Sequence, residues 1–544
     1  MTVFATHPIV TGLMPELVLI IGGVLVLLAG LGRAGWRVIS LEVVSLAAIG
    51  VAAWIAAWGV GRNDLDPVAQ LNNDALLWYV RLVTLAVGAL ILLVNRHVPE
   101  RRERGEFFAL LLFSLAGILL VAAANNLIFL FLALELVSVP TYIMIGLSRR
   151  DIRAQEATGK YFFLGAFAAA MMLYGFSFLY GATGTMQLFA GAGSEESICA
   201  VLSARGALSD PFVIIGLVLA TGGLAFKIAA VPFHFYVADV YQGAASPVTG
   251  MLGFVPKFAG FIALIRILSL CDWSYAQQAT AANDAMFWLL WVLAAASMFV
   301  GNTLALMQHN VKRMLAYSSI AHTGYMLVAL VAGPGSRMAT DASPLRNGLT
   351  ALLFYIAVYG VMNLGAFAAL SYLRKTGEDG EDSAETLDDI AGAARRYPWT
   401  SLALAVCVLG LMGFPLTGGF LGKVYVFSAA LSASEGTAGH SAMIVLVIIG
   451  VLNSAIAAAY YLRILASCYL RTPAEGVTPS RCLVLRLSLA FCTLIVLAVF
   501  FKPGVLFDRA RAAVADMRVV KTQESPTLAG GSLHVAKDAK NALE

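Results

Sequence analysis

Long apolar stretches separated by short polar ones make up most of the chain. Runs of about 20 residues with few charges recur fourteen times, at roughly 14–32, 38–60, 76–95, 107–123, 126–148, 157–182, 211–241, 247–270, 285–307, 313–333, 346–374, 398–432, 440–468 and 482–502. About 20 apolar residues in helix match the hydrocarbon thickness of a bilayer. The pattern predicts an all-α polytopic membrane protein of about 14 transmembrane helices. The seventh and twelfth runs are too long, and too interrupted by Gly and Pro, for one straight helix, so each reads as a broken helix of two halves. The first run continues past Leu28 without a small-residue cleavage site and reads as a retained span.

Polar residues inside these runs are informative, because a charge at the bilayer centre costs roughly 2.5–3.5 kcal/mol on insertion scales. The stretch from Thr221 to Lys257 places Lys227, His234, Asp239 and Lys257 in or beside spans, with Pro232 and Pro256 close by. Proline removes an amide donor, which lipid tolerates only where the backbone faces protein or a water-filled cavity. A broken helix with a buried ionisable group is a common build of an ion pathway. Glu135 lies centrally in the fifth run, five residues before Pro140, and needs a buried cation; Lys227 and Lys160 are the natural candidates. A desolvated ammonium is held by a nearby carboxylate, so withdrawing Glu135 would let Lys227 pass its proton on. His234 follows about two helical turns later and titrates near neutrality, which suits a relay. Lys257 then reads as a central acceptor and Lys423 as the equivalent site of a second unit. Prolines 140, 232, 256 and 415 accompany these charges and would open backbone to water. His322, in LAYSSIAHTGYML, reads either as a link between the two units or as a packed, hydrogen-bonded histidine. Snorkelling equally explains Lys160 and Asp239, which sit near helix ends.

A repeat supports two units. Thr221-Gly-Gly-Leu-Ala-Phe-Lys227 is echoed by Thr417-Gly-Gly-Phe-Leu-Gly-Lys423, 196 residues on. Each copy belongs to an interrupted run, and an offset of five spans, being odd, turns equivalent five-helix units upside down. The predicted division is residues 1–106 for helices one to three, 107–270 for the first repeat, 285–468 for the second inverted repeat, 469–507 for the last helix and 508–544 for a flexible tail. Alternate loops carry Arg33, Arg37, Arg96, Arg101, Arg102, Arg104, Arg149, Arg150, Arg153, Lys312, Arg313, Arg374, Lys375, Arg395, Arg396, Arg471 and Arg481, against only Arg62, Arg205, Arg337 and Arg346 in the opposite set. The positive-inside rule makes the first set cytoplasmic and both termini periplasmic. Arg509, Arg511, Arg518 and Lys521 in the tail run against that rule.

Composition narrows the chemistry. Only 12% of the 544 residues are charged, half the usual share of soluble domains, and a net charge of +4 gives no reason to expect nucleic acid. Six scattered cysteines contain no CxxC pair, which argues against iron–sulfur or zinc sites. Gly30-Leu-Gly-Arg-Ala-Gly35 matches GxGxxG but follows a membrane helix, without a βαβ context. No P-loop, HExxH or nucleophile elbow is present, so no redox cofactor or ATP site is expected in this chain. GEDGEDSAETLDD, between Arg374 and Tyr397, reads as a solvated acidic turn.

Several segments together resemble a known family: MPELVLI, LELVSVPTYIMIGL, EATGKYFFLGA, FKIAAVPFHFYVADVYQGAASPV, NVKRMLAYSSIAHTGYML and GFPLTGGFLGKVYVF. They are similar to the antiporter-like membrane subunits of bacterial NADH-quinone oxidoreductase (respiratory complex I), and most closely to subunit N, over roughly residues 14–500. The resemblance implies a proton-translocating subunit in a bacterial inner membrane, with functional positions at Glu135, Lys160, Lys227, His234, Lys257 and Lys423. It also implies partner membrane subunits, antiporter-like and small, with quinone, FMN and iron–sulfur clusters held elsewhere in the complex. Subunit M is disfavoured because it carries glutamate where this chain has Lys423. Subunit L is disfavoured because it carries a long lateral helix. The D-type subunit of multisubunit Na⁺/H⁺ antiporters is the nearest rival, and a mainly structural membrane subunit is the alternative from another class.

Overall fold

The computed structural model describes residues 8–31, 40–59, 71–72, 74–98, 103–190, 196–271, 280–334, 347–377, 380–433 and 439–515. The loop arginines Arg33, Arg37, Arg62, Arg101, Arg102, Arg337 and Arg346, and the tail from residue 516, lie outside the described residues. The short α1 (Pro8–Gly12) leads into α2 (Met14–Leu31), α3 (Leu41–Trp58), α4 (Ala75–Asn95), α5 (Arg104–Ala123), α6 (Leu127–Ser148), α7 (Ile152–Thr183) and the short α8 (Ile198–Arg205). The seventh run becomes α9 (Pro211–Lys227) and α10 (Val237–Gly243), and the eighth becomes α11 (Ser246–Leu252) and α12 (Val255–Leu268). Next come α13 (Ala281–Leu306), α14 (Val311–Ala332), α15 (Gly348–Tyr372), strands β1 (Leu373–Gly377) and β2 (Gly380–Ser383), and α16 (Ala393–Arg396). The twelfth run becomes α17 (Pro398–Met412) and α18 (Gly418–Ala433), followed by α19 (His440–Leu470), β3 (Val477–Pro479), α20 (Leu483–Phe501) and α21 (Gly504–Ala515).

Among the described residues, twelve helices are long and apolar enough to cross a membrane, counting Ser246–Leu268 as one, and Pro211–Lys227 and Pro398–Met412 supply two shorter apolar ones. Together they match the fourteen apolar runs. The two five-span units are α5 to α12 and α13 to α19, and in each the fourth span is broken. Helices α11, α12, α14 and α15 lie buried in the middle, while α2, α3, α19 and α20 turn side chains such as Trp54, Trp58, Leu452 and Leu494 outward. An apolar exterior of this kind is stable against hydrocarbon or neighbouring membrane subunits.

The structure corrects the meaning of the TGGxxxK echo. In the first unit Thr221 to Lys227 lies inside α9 and ends it, before the break. In the second, Thr417 sits at the break and Lys423 follows it, inside α18. Repeats built by the same chain order would keep equivalent residues on one side of the break. Lys227 and Lys423 therefore do not hold equivalent positions about the two breaks.

Each break satisfies its own backbone, as lipid demands. At the first, Ala229 N–H bonds to Phe226 O and Ala230 N–H to Ala225 O, while Tyr236 and Thr323 hydroxyls donate to Phe226 O and Ile228 O, and Val231 N–H donates to Ser297 Oγ. At the second, Thr417 Oγ1 donates to Phe414 O, and Lys423 Nζ donates to Met412 O at 2.8 Å. Ala229 and Leu416 both take positive φ, 60° and 74°, a conformation that costs L-residues roughly 1–2 kcal/mol and is held here by those side-chain bonds. Pro232 lies within the first break, and Pro415 within the second. Pro140 departs from the expected pattern: α6 runs through it unbroken. The eighth span adds a break where the sequence predicts one continuous run. It falls at Gly253, where a Cβ would come within 1.9 Å of Asn363 Nδ2, and Pro256 then occupies the first turn of α12, where its missing amide is harmless.

Two buried ion pairs fix the first helices, one between α2 and α4 and one between α4 and α12. Arg81 on α4 bonds to both carboxylate oxygens of Glu16 on α2 at 2.8 Å and to Gly12 O, with both side chains almost fully enclosed. Arg266 on α12 meets Asp74, the N-cap of α4. Glu16, Arg81 and Arg266 fall within apolar runs, which is a sequence signal, but the pairing is tertiary. Arg81→Ala strands the Glu16 carboxylate, and we expect a loss of about 3–5 kcal/mol, read as a lowered melting temperature of the purified assembly; Arg81→Met with Glu16→Leu should cost less.

The acidic segment is not a simple solvated turn. Strand β1 pairs antiparallel with β2, Arg374 opposite Ser383, and with β3, Arg374 opposite Thr478. Beyond it, Asp389 accepts from the Thr386 amide (2.9 Å), the Glu385 amide (3.2 Å) and Lys375 Nζ (2.6 Å), and Glu385 and Asp389 turn inward. Burial alone would raise the Asp389 carboxyl, but the Lys375 bond and the amide bonds outweigh it and hold the group low. Burial likewise opposes, and Lys312 and Arg149 overcome, at Glu385, which is also held low. A carboxyl depressed on folding stabilises above its unfolded value and loses that contribution as pH falls through its folded one. We expect the segment to stay docked at pH 5 and to loosen only below about pH 4, read as hydrogen exchange of residues 384–390.

Finally, α21 packs on α4 and α15, with Phe507 against Phe354 and Tyr425. The tail expected from residue 508 therefore begins as helix, to Ala515.

Candidate functional site

Lys227 ends α9 with its ammonium 2.9 Å from Glu135 Oε1 and bonded to Ser138 Oγ, both on α6. Lys227 is enclosed, at 3% exposure, whereas Glu135 retains 24%. The structure thus chooses Lys227 over Lys160 as the partner of Glu135. Lys160 instead pairs with Asp239 at 2.8 Å and Glu156 at 2.6 Å, on an exposed part of α7, and Arg313 holds the other oxygen of Asp239 at 2.8 Å.

Lys257, third residue of α12, has no carboxylate partner among the described residues. Its ammonium donates to Ser319 O, to Ser319 Oγ at 2.9 Å and to Thr323 Oγ1 at 2.9 Å, and lies 5.6 Å from the centre of the Tyr359 ring. Lys423 is held the same way, by Met412 O at 2.8 Å, Ser454 Oγ at 2.9 Å and the face of Tyr325 at 4.8 Å. Gly413 makes room for it: φ is 85°, and a Cβ there would lie 2.9 Å from Lys423 Cδ.

His322 belongs to the site. On α14, one turn from Ser319 and adjacent to Thr323, it is buried with Nδ1 2.7 Å from the Tyr355 hydroxyl and Nε2 3.0 Å from that of Tyr461. Its ring packs 4.9 Å from Tyr359 and 5.8 Å from Tyr325. Lys257 and Lys423 therefore both share an aromatic neighbour with His322. Tyr325 continues outward to Asn302 (3.4 Å), which bonds to Asn453 (3.3 Å) and Tyr460 (3.1 Å).

Between Lys227 and Lys257 lies a narrow cavity lined by both lysines, Tyr161, Tyr236 and Tyr241, with space for about one water molecule. His234 does not line it. It sits in the break, beside Phe235, with Nδ1 unpartnered. Tyrosines, and not His234, face the space between the two lysines. Aromatic residues in apolar runs read as packing, so their hydroxyls become visible only once the helices are placed around a common axis.

Residues 124–456 match the family described as NADH:quinone oxidoreductase/Mrp antiporter, transmembrane. The chain belongs to this family. The matched stretch contains Glu135, Lys160, Lys227, His234, Lys257, His322 and Lys423, so the line of buried cations lies wholly within the family's shared membrane domain, while Glu16 and Arg81 precede it. Family members with curated names agree. NADH-quinone oxidoreductase subunit N of Trichlorobacter lovleyi is 36% identical over 477 residues, covering 85% of this chain and 88% of that one. Subunit N 1 of Solibacter usitatus is 38% identical over 472 residues, with 86% and 88% covered. Among solved structures, a chain of respiratory complex I from Thermus thermophilus with bound aureothin is 28% identical, with TM-score 0.70, covering 91% of this chain and 98% of its own. A chain of the Mrp complex from Dietzia shares the fold, with TM-score 0.74, but is 19% identical, covering 96% and 99%. The protein is a multi-pass membrane subunit of the family.

Proposed function

We propose that this chain is the subunit N-type proton-translocating subunit of a complex I-type NADH:quinone oxidoreductase, moving protons along its buried cations while quinone is reduced elsewhere in the complex. The observation that carries the reading is an asymmetry. Lys227 is paired with a carboxylate, whereas Lys257 and Lys423 are equally buried but held by hydroxyls and carbonyls alone. A buried charge without a counter-ion is costly, so the last two sites are built for a proton that comes and goes. Opening the Glu135–Lys227 pair destabilises the Lys227 ammonium, which passes its proton through the one-water cavity to neutral Lys257. Ser319 and Thr323 on α14 hold Lys257, and His322 on the same helix bonds to Tyr355 and Tyr461, which sets the direction of the line towards Lys423. Proton transfer needs groups within hydrogen-bond reach or one water apart, and the cavity between Lys227 and Lys257 provides that spacing for the first stage.

The same site chemistry favours protons over Na⁺, because a hard cation wants a cage of oxygen ligands and this line presents ammonium groups. Flavin, iron–sulfur clusters and quinone belong to partner subunits in this reading, and the chain itself holds no redox site. The basic loops face the cytoplasm of a bacterial inner membrane, with both termini periplasmic. The test is gentle purification of the tagged chain from its native membrane. Co-purifying flavin, iron–sulfur signals and quinone-linked NADH oxidation are expected; a small cofactor-free assembly exchanging Na⁺ for H⁺ in vesicles would place the chain with stand-alone antiporters.

A further inference from the structure

Lys312 is a cation that the relay does not use, and it is more deeply enclosed than any lysine that it does use. The second residue of α14, it is 0% exposed. Its ammonium donates to Ala244 O at 2.6 Å, to Gln242 O at 3.0 Å and to Glu385 Oε1 at 2.9 Å. The two carbonyls belong to the junction where α10 stops and α11 begins. A helix C-terminus bearing a cation is favourable, but a fully buried ammonium also needs an anion, and Glu385 is the carboxylate that meets it. Glu385 accepts a second bond on the same oxygen from Arg149 at 2.7 Å. Arg149 caps the end of α6, the helix that carries Glu135 and Ser138. The neighbouring Ser148 Oγ accepts from Ala245 N–H at 3.1 Å, so α6 grips the same junction.

The grip is relevant because of what the junction carries. Val237, Val240 and Tyr241 on α10, and Leu252 on α11, line the cavity between Lys227 and Lys257. Tyr241 also accepts from Ser319 Oγ at 3.3 Å, and Ser319 is the Lys257 ligand about two turns above Lys312 on α14. Helix α14 thus holds α10 at two heights, by Ser319 to the Tyr241 hydroxyl and by Lys312 to the carbonyls below. The segment that supplies Glu385 is itself strapped to the start of α14, with Val311 N–H bonded to Glu385 O at 2.7 Å and Leu387 N–H to His309 O at 3.2 Å.

We propose that Glu385 is a positioning residue for proton transfer between Lys227 and Lys257, acting through Lys312 and Arg149 on the α10–α11 junction. It reaches from the second five-span unit into the first, so the water gap in the first unit is set by an anion of the second. The inference rests on the relay reading given above. Losing the carboxylate lets the junction shift and lengthens the gap by a fraction of an ångström, enough to slow transfer without removing any group that carries the proton.

The test uses membrane vesicles from cells whose complex contains Glu385→Gln, Lys257→Ala or both, with proton uptake measured per assembled complex. Glu385→Gln should slow translocation on the order of 2- to 30-fold, Lys257→Ala should slow it further, and the double variant should match Lys257→Ala alone. A wild-type rate for Glu385→Gln, or a double variant whose loss is the product of the two single losses, overturns the inference. If Glu385→Gln does not assemble, Glu385→Asp keeps the charge but cannot reach both Lys312 and Arg149; it should show the same non-additive slowing, and a wild-type rate for it overturns the inference. A silent Lys257→Ala removes the relay reading and this inference with it, whereas an impaired Lys257→Ala beside a silent Glu385→Gln removes this inference alone.

Discussion

Lys227→Ala yields an assembled complex whose proton uptake is severely impaired. In the proposed relay the ammonium is the proton donor at the first stage, and loss of a positioned acid or base typically costs 10²–10⁴-fold, so a drop of about 100-fold through this subunit is expected. Assembly should survive, because the stranded Glu135 can take up a proton and become neutral. The measurement pairs native gel electrophoresis with dye-monitored proton uptake in vesicles. Full activity in an assembled complex, or loss of the complex itself, would mean that the pair holds helices together and does nothing more. Glu135→Gln should slow transport too, since in the proposed relay the opening of that pair starts the sequence of steps.

Lys257→Arg should be nearly as damaging to transport as Lys257→Ala. A guanidinium keeps the positive charge but does not give up its proton at physiological pH, so the central stage would be permanently occupied. Arginine is also bulkier, whereas alanine leaves Ser319 and Thr323 free to bond to each other or to water. If the role of Lys257 were to supply charge to the Tyr359 face, arginine would rescue and alanine would not. Equal losses of about 100-fold or more, with assembly intact in at least the alanine variant, support the relay; rescue by arginine sinks it. The comparison needs only the same vesicle assay.

Much of this protein is legible along the chain, and the reasons are local. An apolar run of bilayer length becomes a spanning helix because its backbone has no other partner in hydrocarbon, so the span count follows from composition alone. Lys227, Lys257 and Lys423 stand out because a charge in such a run is expensive, and the breaks near Pro232 and Pro415 follow from a missing amide. Other features depend on what packs beside what. Position 253 must be glycine because Asn363 of α15 occupies the space a Cβ would need, a contact invisible from position 253. Asp389 turns inward because amides four and three residues earlier and Lys375 on β1 converge on it, although its neighbours read as a solvated turn. Tyr161, Tyr236 and Tyr241 look like packing until the fold sets them around one water-sized gap.

The sequence by itself determined that the chain spans the membrane about fourteen times, that two of its spans break, and that Lys227, Lys257 and Lys423 lie inside spans, because each of these depends on the cost of placing one local group in hydrocarbon. Tertiary structure alone decided that Glu135 meets Lys227 and not Lys160, that Tyr161, Tyr236 and Tyr241 line the cavity between Lys227 and Lys257 while His234 does not, and that Glu385 meets Lys312. Those outcomes depend on distances of a few ångströms between helices far apart in the chain, and a hydrogen bond forms or fails within that range.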